Sequence, residues 1–306
     1  LGALGCVYLH QISKTLSAEH VRVVAAGERA RRYREQGVCV NGETCRFPVV
    51  EPEEAVAPAD LLIFTVKHHH LAQAIQEVRR HVGPDTIILS LLNGITSEEE
   101  IGAVYGREKL LYALSLGIDA TRTGDSTTYS TMGHIPFGEA KNTPGQYSHK
   151  VLRVKDFFDH VGIPYTIPED MIASLWNKFM INVGTNQLSA LLGAPYFAFQ
   201  KIDTVRSFAL ETMREVVAVA AAQGIPLSPR APEEGLAVLE ALSPTGKTSM
   251  LQDIESGRKT ELDIFGGAMV ELGRKYGVAV PANEMLVRML RAKEQVNAYR
   301  SEHQLF

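Results

Sequence analysis

The chain has 306 residues, with near-average apolar and charged fractions and 31 basic against 35 acidic side chains, a formal net charge of -4. That length is enough for two domains with sizeable cores, and the slightly negative balance excludes the basic field that gathers nucleic acid or an anionic membrane surface. Cys6, Cys39 and Cys45 lack CxxC spacing, which argues against a disulfide framework or a zinc knuckle and points to a reducing cytoplasm. No apolar run approaches the ~20 residues that cross a bilayer. The expected partner is therefore a small molecule, with no nucleic acid and no membrane.

In chain order, the first element opens at "LGALGCVYLHQI". Gly2 and Gly5 stand where the last two glycines of a GxGxxG phosphate loop would stand, the first glycine and the strand before it being expected upstream of Leu1. Such glycines let backbone N–H groups reach a pyrophosphate at a helix N-terminus. The same four residues, GALG, also describe an ordinary tight turn, so the fragment needs its context.

Short apolar segments follow: Val21 to Ala25, Leu61 to Val66 and Thr86 to Leu92 read as strands of a parallel sheet buried on both faces. Helical or loop stretches separate them, giving an α/β, doubly wound, Rossmann-like pattern. Lys67 and Asn93 fall just beyond the carboxyl ends of two of these strands, where open α/β sheets bind ligands, and become cofactor or substrate candidates. After the second strand, Glu28 favours an adenosine ribose hydroxyl, whereas Arg29, Arg31 and Arg32 favour a 2′-phosphate; a solvated helix start accounts for all four equally well. His68, His69 and His70 are consecutive and point in different directions, so no metal site is expected. The segments "LLYALSLGIDA" and "TTYSTMGHIPFGEA" extend the sheet, the second as a partly exposed antiparallel edge.

Pro164 and Pro168 mark a change to long helical periods, which sets the expected domains at 1-167 for dinucleotide binding and 168-306 for a helical substrate domain. A cleft between two such domains is the expected place for a substrate. Ser207 to Gln223 reads as one helix, stopped by Gly224 and Pro226. Before it, "SLWNKFMINVGTNQLSALLG" carries Lys178, Asn182 and Asn186 at four-residue spacing within apolar flanks. Positions four apart are offset by only ~40° on a helix, so the three form one polar stripe. Such groups need partners when packed, and either a polar ligand or a buried network supplies them. A desolvated lysine is also a competent proton donor. Further on, "TSMLQDIESGRKTELD" gathers Ser249, Asp253, Arg258, Glu261 and Asp263. Ser249 and Asp253 share a helix face, Ser249 is a possible helix cap, and Glu261 is either a partner for a catalytic lysine or a surface carboxylate.

Taken together in their order and spacing, GALG, "TVK", "NGI", "LWNKFMINVGTN" and "SMLQDIESGRKTELD" resemble the ketopantoate reductases, or 2-dehydropantoate 2-reductases, over nearly the whole chain. The resemblance implies an N-terminal Rossmann domain and an all-helical C-terminal domain resembling that of 6-phosphogluconate dehydrogenase. It also implies NADPH-dependent reduction of ketopantoate to pantoate in pantothenate biosynthesis. Carried over to this sequence, it makes Lys178 the general acid, places Asn93 near nicotinamide and substrate, and sets Glu261 close to Lys178. Asn182, Asn186 and Ser249 would hold the substrate, and Gly2, Ala3, Leu4, Gly5 and Lys67 the cofactor. Ala26 replaces an arginine present in many members, so NADPH preference would rest on Arg29 or its neighbours, with NADH as the other cofactor. Tyr196 and Gly246 also depart from the family pattern, which opens the choice of 2-keto acid. A non-catalytic NADP(H) sensor is the rival reading, and family habit suggests a homodimer.

Overall fold

The computed structural model describes residues 1–304. It divides into two compact units, Leu1–Ile172 and a second that begins at Ala173.

The first unit starts with α1 (Ala3–Ser13), β1 (Val23–Val24), α2 (Gly27–Gln36), β2 (Val38–Val40), β3 (Glu43–Cys45) and β4 (Val49–Val50). A βαβαβ run follows: β5 (Leu61–Phe64), α3 (Leu71–Glu77), β6 (Ile87–Ser90), α4 (Ser97–Tyr105) and β7 (Leu110–Ala113). The unit closes with β8 (Leu116–Ile118), β9 (Thr121–Thr123), β10 (Ser126–Thr128), β11 (Met132–Gly138), α5 (His149–Val161) and β12 (Tyr165–Thr166). The main sheet has the order β12-β11-β7-β6-β5, with β8 also on β11. Strands β5, β6 and β7 pair in parallel, β11 runs antiparallel to β7, and β12 is parallel to β11.

Period-two alternation explains why helices cover both faces of this sheet. Ile87 and Leu89 of β6, with Leu111 of β7, pack on one side with Tyr8 and Ile12 of α1 and with Val151, Val154 and Phe158 of α5. Ile88, with Phe64 of β5 and Leu110 of β7, packs on the other with Leu71 and Ile75 of α3 and Ile101 of α4. Doubly wound packing is thus written into adjacent residues of one strand.

Three sequence expectations need correction. Of Val21 to Ala25, only Val23 and Val24 form a strand, and β1 pairs with β4 rather than with the main sheet. The segment around β11 is not an edge, because β12 covers its far side through Ile135↔Tyr165 and Pro136↔Thr166. Leu61 to Val66 is only partly buried before Phe64, whereas all four residues of β6 are buried.

The second unit carries α6 (Met171–Leu192, begun two residues earlier), α7 (Phe197–Lys201), α8 (Asp203–Ala222), α9 (Ala231–Glu240), α10 (Ser249–Glu255), α11 (Gly266–Tyr276) and α12 (Pro281–Glu302). Helix α8 begins four residues before the expected Ser207 and stops ahead of Gly224, which takes φ +73°. Helix α6 is central because small residues let its neighbours close on it. A Cβ at Gly184 would lie 2.4 Å from Met213 Cγ of α8, and one at Gly235 of α9 would lie 2.9 Å from Ile181 Cγ1. Residues 183–190 of α6 are all buried in consequence.

A buried polar network ties the start of α12 to this core. Glu215 of α8 accepts from the backbone N–H groups of Ala282 (2.8 Å) and Asn283 (3.0 Å) and from Asn283 Nδ2 (2.7 Å), while Gln187 of α6 donates to Asn283 Oδ1 (3.1 Å). A carboxylate at a helix N-terminus satisfies donors that the helix leaves open and suits its dipole. Among the described residues, no helix is long and apolar enough to cross a membrane.

Candidate active site

In the first unit the structure brings the GALG segment against the end of β5. Gly2 is the extended N-cap residue of α1, and no side chain caps that helix end. A Cβ at Gly2 would sit 3.2 Å from the Thr65 carbonyl oxygen, and one at Gly5 would sit 2.6 Å from Thr65 Oγ1. Glycine therefore lets α1 start close to the strand end, most tightly at position 5, and Ala3 and Leu4 complete that first turn. Lys67 lies two residues beyond Thr65, partly buried, and its carbonyl accepts from His70 N at 2.9 Å. The Lys67 and Asn93 loops are joined by a carboxylate. Glu100 of α4 meets His68 Nε2 at 2.7 Å and accepts from Thr96 Oγ1 at 3.0 Å. Asn93 precedes Gly94, whose φ of +92° turns the chain, and Ser90 Oγ is 2.7 Å from Ser97 Oγ across the base of the loop.

The arginines after β1 are engaged within this unit. Arg29 donates to both carboxylate oxygens of Glu77, at 3.0 and 3.3 Å, Arg31 pairs with Glu28 at 2.6 Å, and Arg32 lies 3.5 Å from Asp125. A 2′-phosphate at Arg29 would share the guanidinium with Glu77.

In the second unit Lys178 and Asn182 are partly buried and Asn186 is only 6 % exposed, so the stripe on α6 runs inward. Its flanks are core: Phe179 meets Trp176 edge to face at 5.6 Å and lies 6.5 Å from Phe265. Asn186 Nδ2 reaches Ser249 Oγ at 3.5 Å, which brings two of the three sequence-predicted substrate residues together. Ser249 does not cap α10. Thr248 takes that part by accepting from Leu251 N at 3.2 Å, because it is the residue that keeps extended backbone angles before the helix. Asp253, on the same helix face, is held instead by Arg258 Nε at 3.1 Å.

Glu261 is 5 % exposed and belongs to no regular helix. Thr260, just before it, is fixed by Glu294 of α12: Oε1 accepts from Thr260 Oγ1 at 2.6 Å and from Thr260 N at 3.2 Å. Burial rules out the surface-carboxylate alternative for Glu261. Tyr196 lies against Gly246, where a Cβ would come within 2.9 Å of its ring, and burial raises the Tyr196 pKa. Sequence reasoning missed Thr65, Glu100, Thr248 and Glu294. For Thr248 the signal was its place just before the helix; the other three act across long sequence separations.

Two family models, described as "Ketopantoate reductase PanE/ApbA" and "Ketopantoate reductase PanE/ApbA C terminal", match residues 1–142 and 170–294. The chain belongs to the ketopantoate reductase family. Its 2-dehydropantoate 2-reductase relative from Aquifex aeolicus is 25% identical over 303 residues, covering 97% of this chain and 96% of the relative. The crystal structure of 2-dehydropantoate 2-reductase from Methylococcus capsulatus is 29% identical, with a TM-score of 0.81 and coverage of 97% and 96% of the two chains. The structure of D-mandelate dehydrogenase with NADH and anilino(oxo)acetate superposes with a TM-score of 0.86 over 97% of each chain at 24% identity, a likeness of fold alone. Oxidoreductase chemistry, an N-terminal sheet unit and a helical C-terminal unit all agree with this family membership.

Proposed function

We propose that this chain reduces the keto group of 2-dehydropantoate to the hydroxyl of pantoate, with NADPH as reductant, as a cytoplasmic enzyme of pantothenate biosynthesis. The observation that carries the reading is the inward-running stripe of Lys178, Asn182 and Asn186 on a packed helix, meeting Ser249, in a chain that matches ketopantoate reductases in both halves.

The first unit suits a dinucleotide. Glycine at positions 2 and 5 lets α1 close on Thr65, and its uncapped first turn, Ala3 to Gly5, offers N–H groups and a positive dipole end to a pyrophosphate. When bound, the cofactor supplies the hydride that reaches the keto carbon. Lys178 gives a proton to the keto oxygen as negative charge develops there, so the C=O becomes CH–OH. Asn182 and Asn186 donate to substrate oxygens, Ser249 serves its carboxylate side, and Glu261 is the carboxylate that works with Lys178. Lys67 and Asn93 are assigned to the cofactor, and Arg29 to its 2′-phosphate.

The test is consumption of reduced cofactor by purified protein with ketopantoate, with NADPH and NADH compared. Fast NADPH use is expected. Faster use of NADH would make Glu28 the ribose reader, and no reaction in a folded, cofactor-binding protein would sink the substrate assignment. The Tyr196 ring over Gly246 favours one second reading, a different branched 2-oxo acid on the same residues, which a substrate panel separates.

A further inference from the structure

We propose that Glu294 is a positioning residue for Glu261, acting through Thr260; the inference rests on the assignment of Glu261 to the substrate site. Glu261 sits in the segment between α10 and α11, where backbone freedom is greatest unless the chain is tied down. It is tied on both sides. Upstream, Arg258 N donates to the Asp253 carbonyl at 2.8 Å while its guanidinium holds the buried Asp253 carboxylate. Next to Glu261, Thr260 is clamped twice by one oxygen of Glu294, and the Thr260 hydroxyl oxygen then accepts from Leu262 N at 3.3 Å. The residues before and after Glu261 therefore both depend on the Thr260 side chain, whose hydroxyl donates to Glu294.

Helix α12 is fixed relative to the substrate helix at the neighbouring position. Lys293 donates to the carbonyls of Ala190 and Leu191, both at 2.8 Å, in the last turn of α6, where a cation also suits the helix dipole. Burial lowers the Lys293 pKa without removing these acceptors. One step along α12 thus grips the helix of Lys178, Asn182 and Asn186, and the next step grips the Glu261 segment. Arg291, one turn back, pairs with exposed Asp263 at 3.6 Å, and such a surface pair cannot replace the clamp.

The experiment is a double-mutant cycle on the full chain with Glu294→Ala, Glu294→Gln and Glu261→Ala, reading kcat, KM for the keto acid and NADPH affinity. Loss of registry predicts that Glu294→Ala lowers kcat/KM on the order of 10-fold or more and leaves NADPH affinity unchanged. Glu294→Gln, which keeps the Oε1 acceptor, stays near the parent. Added to Glu261→Ala, the Glu294→Ala change costs nothing further, since it acts through a side chain already removed. Additive losses, or full activity in Glu294→Ala beside a large loss in Glu261→Ala, would overturn the proposal. Unchanged turnover in Glu261→Ala itself would instead overturn the site assignment, and with it the role of Glu294. A thermal melt of each variant keeps a folding defect from passing as a kinetic one, and Thr260→Val repeats the break from the other side.

Discussion

Gly5→Ala tests the cofactor half of the site most directly. The added Cβ would lie 2.6 Å from Thr65 Oγ1, 3.1 Å from the Leu1 side chain and 3.5 Å from Thr65 Cβ. The Leu1 contact is with the tip of a flexible side chain and yields cheaply. The Thr65 contact is about 0.9 Å inside the ~3.5 Å optimum for heavy atoms, and Thr65 is β-branched and stiff at χ1, so α1 must shift. Overpacking of this size costs about 1–3 kcal/mol, and if α1 supplies the pyrophosphate donors, as proposed, that cost falls on binding. Cofactor affinity, followed by quenching of NADPH fluorescence, is expected to drop about 10- to 100-fold, corresponding to ~1.4–2.8 kcal/mol. Adding Thr65→Ala removes the opposing oxygen and restores much of the affinity, whereas Thr65→Ser, no longer β-branched and free to turn its Oγ away, restores part of it. Parent-like binding by Gly5→Ala, or a loss that Thr65→Ala leaves untouched, would refute the steric argument.

Other expectations follow from the same structure. Lys178→Ala should keep NADPH affinity and lose turnover on the order of 10²-fold or more in steady-state assays, and undiminished turnover would remove its role as general acid. Glu215→Ala strips three hydrogen bonds from the buried start of α12 and should destabilise the chain by about 3–5 kcal/mol in urea titration; a change below ~1 kcal/mol would contradict the network. His81 is fully buried with neither ring nitrogen hydrogen-bonded among the described residues, and burial, followed by the Arg22 charge, lowers its pKa from 6.5. Its neutral form is favoured in the fold, so its contribution is complete above pH 6.5 and is lost as pH falls from there through the lowered folded value. His81→Leu should flatten the fall in Tm below pH 6.5, and parallel Tm curves for the two proteins would exclude His81 as the cause.

How much of this was legible in the sequence depends on how far each signal reaches. The stripe on α6 and the two-faced packing of β6 are local periodicities, and both appear in the fold where the residues put them. The cap of α10 was misplaced by one residue, because Thr248 and Ser249 are both good caps and only backbone geometry chooses between them. β12 escaped notice because two residues carry no period, and its pairing depends on residues of β11 thirty positions upstream. Nothing in the sequence around Glu100 and Glu294 singles them out; their partners, His68 and Thr260, lie 32 and 34 positions away and no pattern in the helix itself announces them. Distances between the three site residues of α6 were implicit in their numbering, whereas the company each keeps was not.

That last feature has consequences for how such a reductase changes its substrate. Lys178, Asn182 and Asn186 ride one rigid helix, so their separation is fixed in steps of ~6 Å by the helical rise. A shorter or longer keto acid cannot be met by gradual adjustment of that spacing, as a loop would permit. It must be met by exchanging the chemistry carried at a given turn, or by reshaping the walls opposite. On the proposed assignment, intermediate variants therefore keep Lys178 in place as proton donor while the rest of the grip changes, which favours divergence in substrate with conservation of reaction.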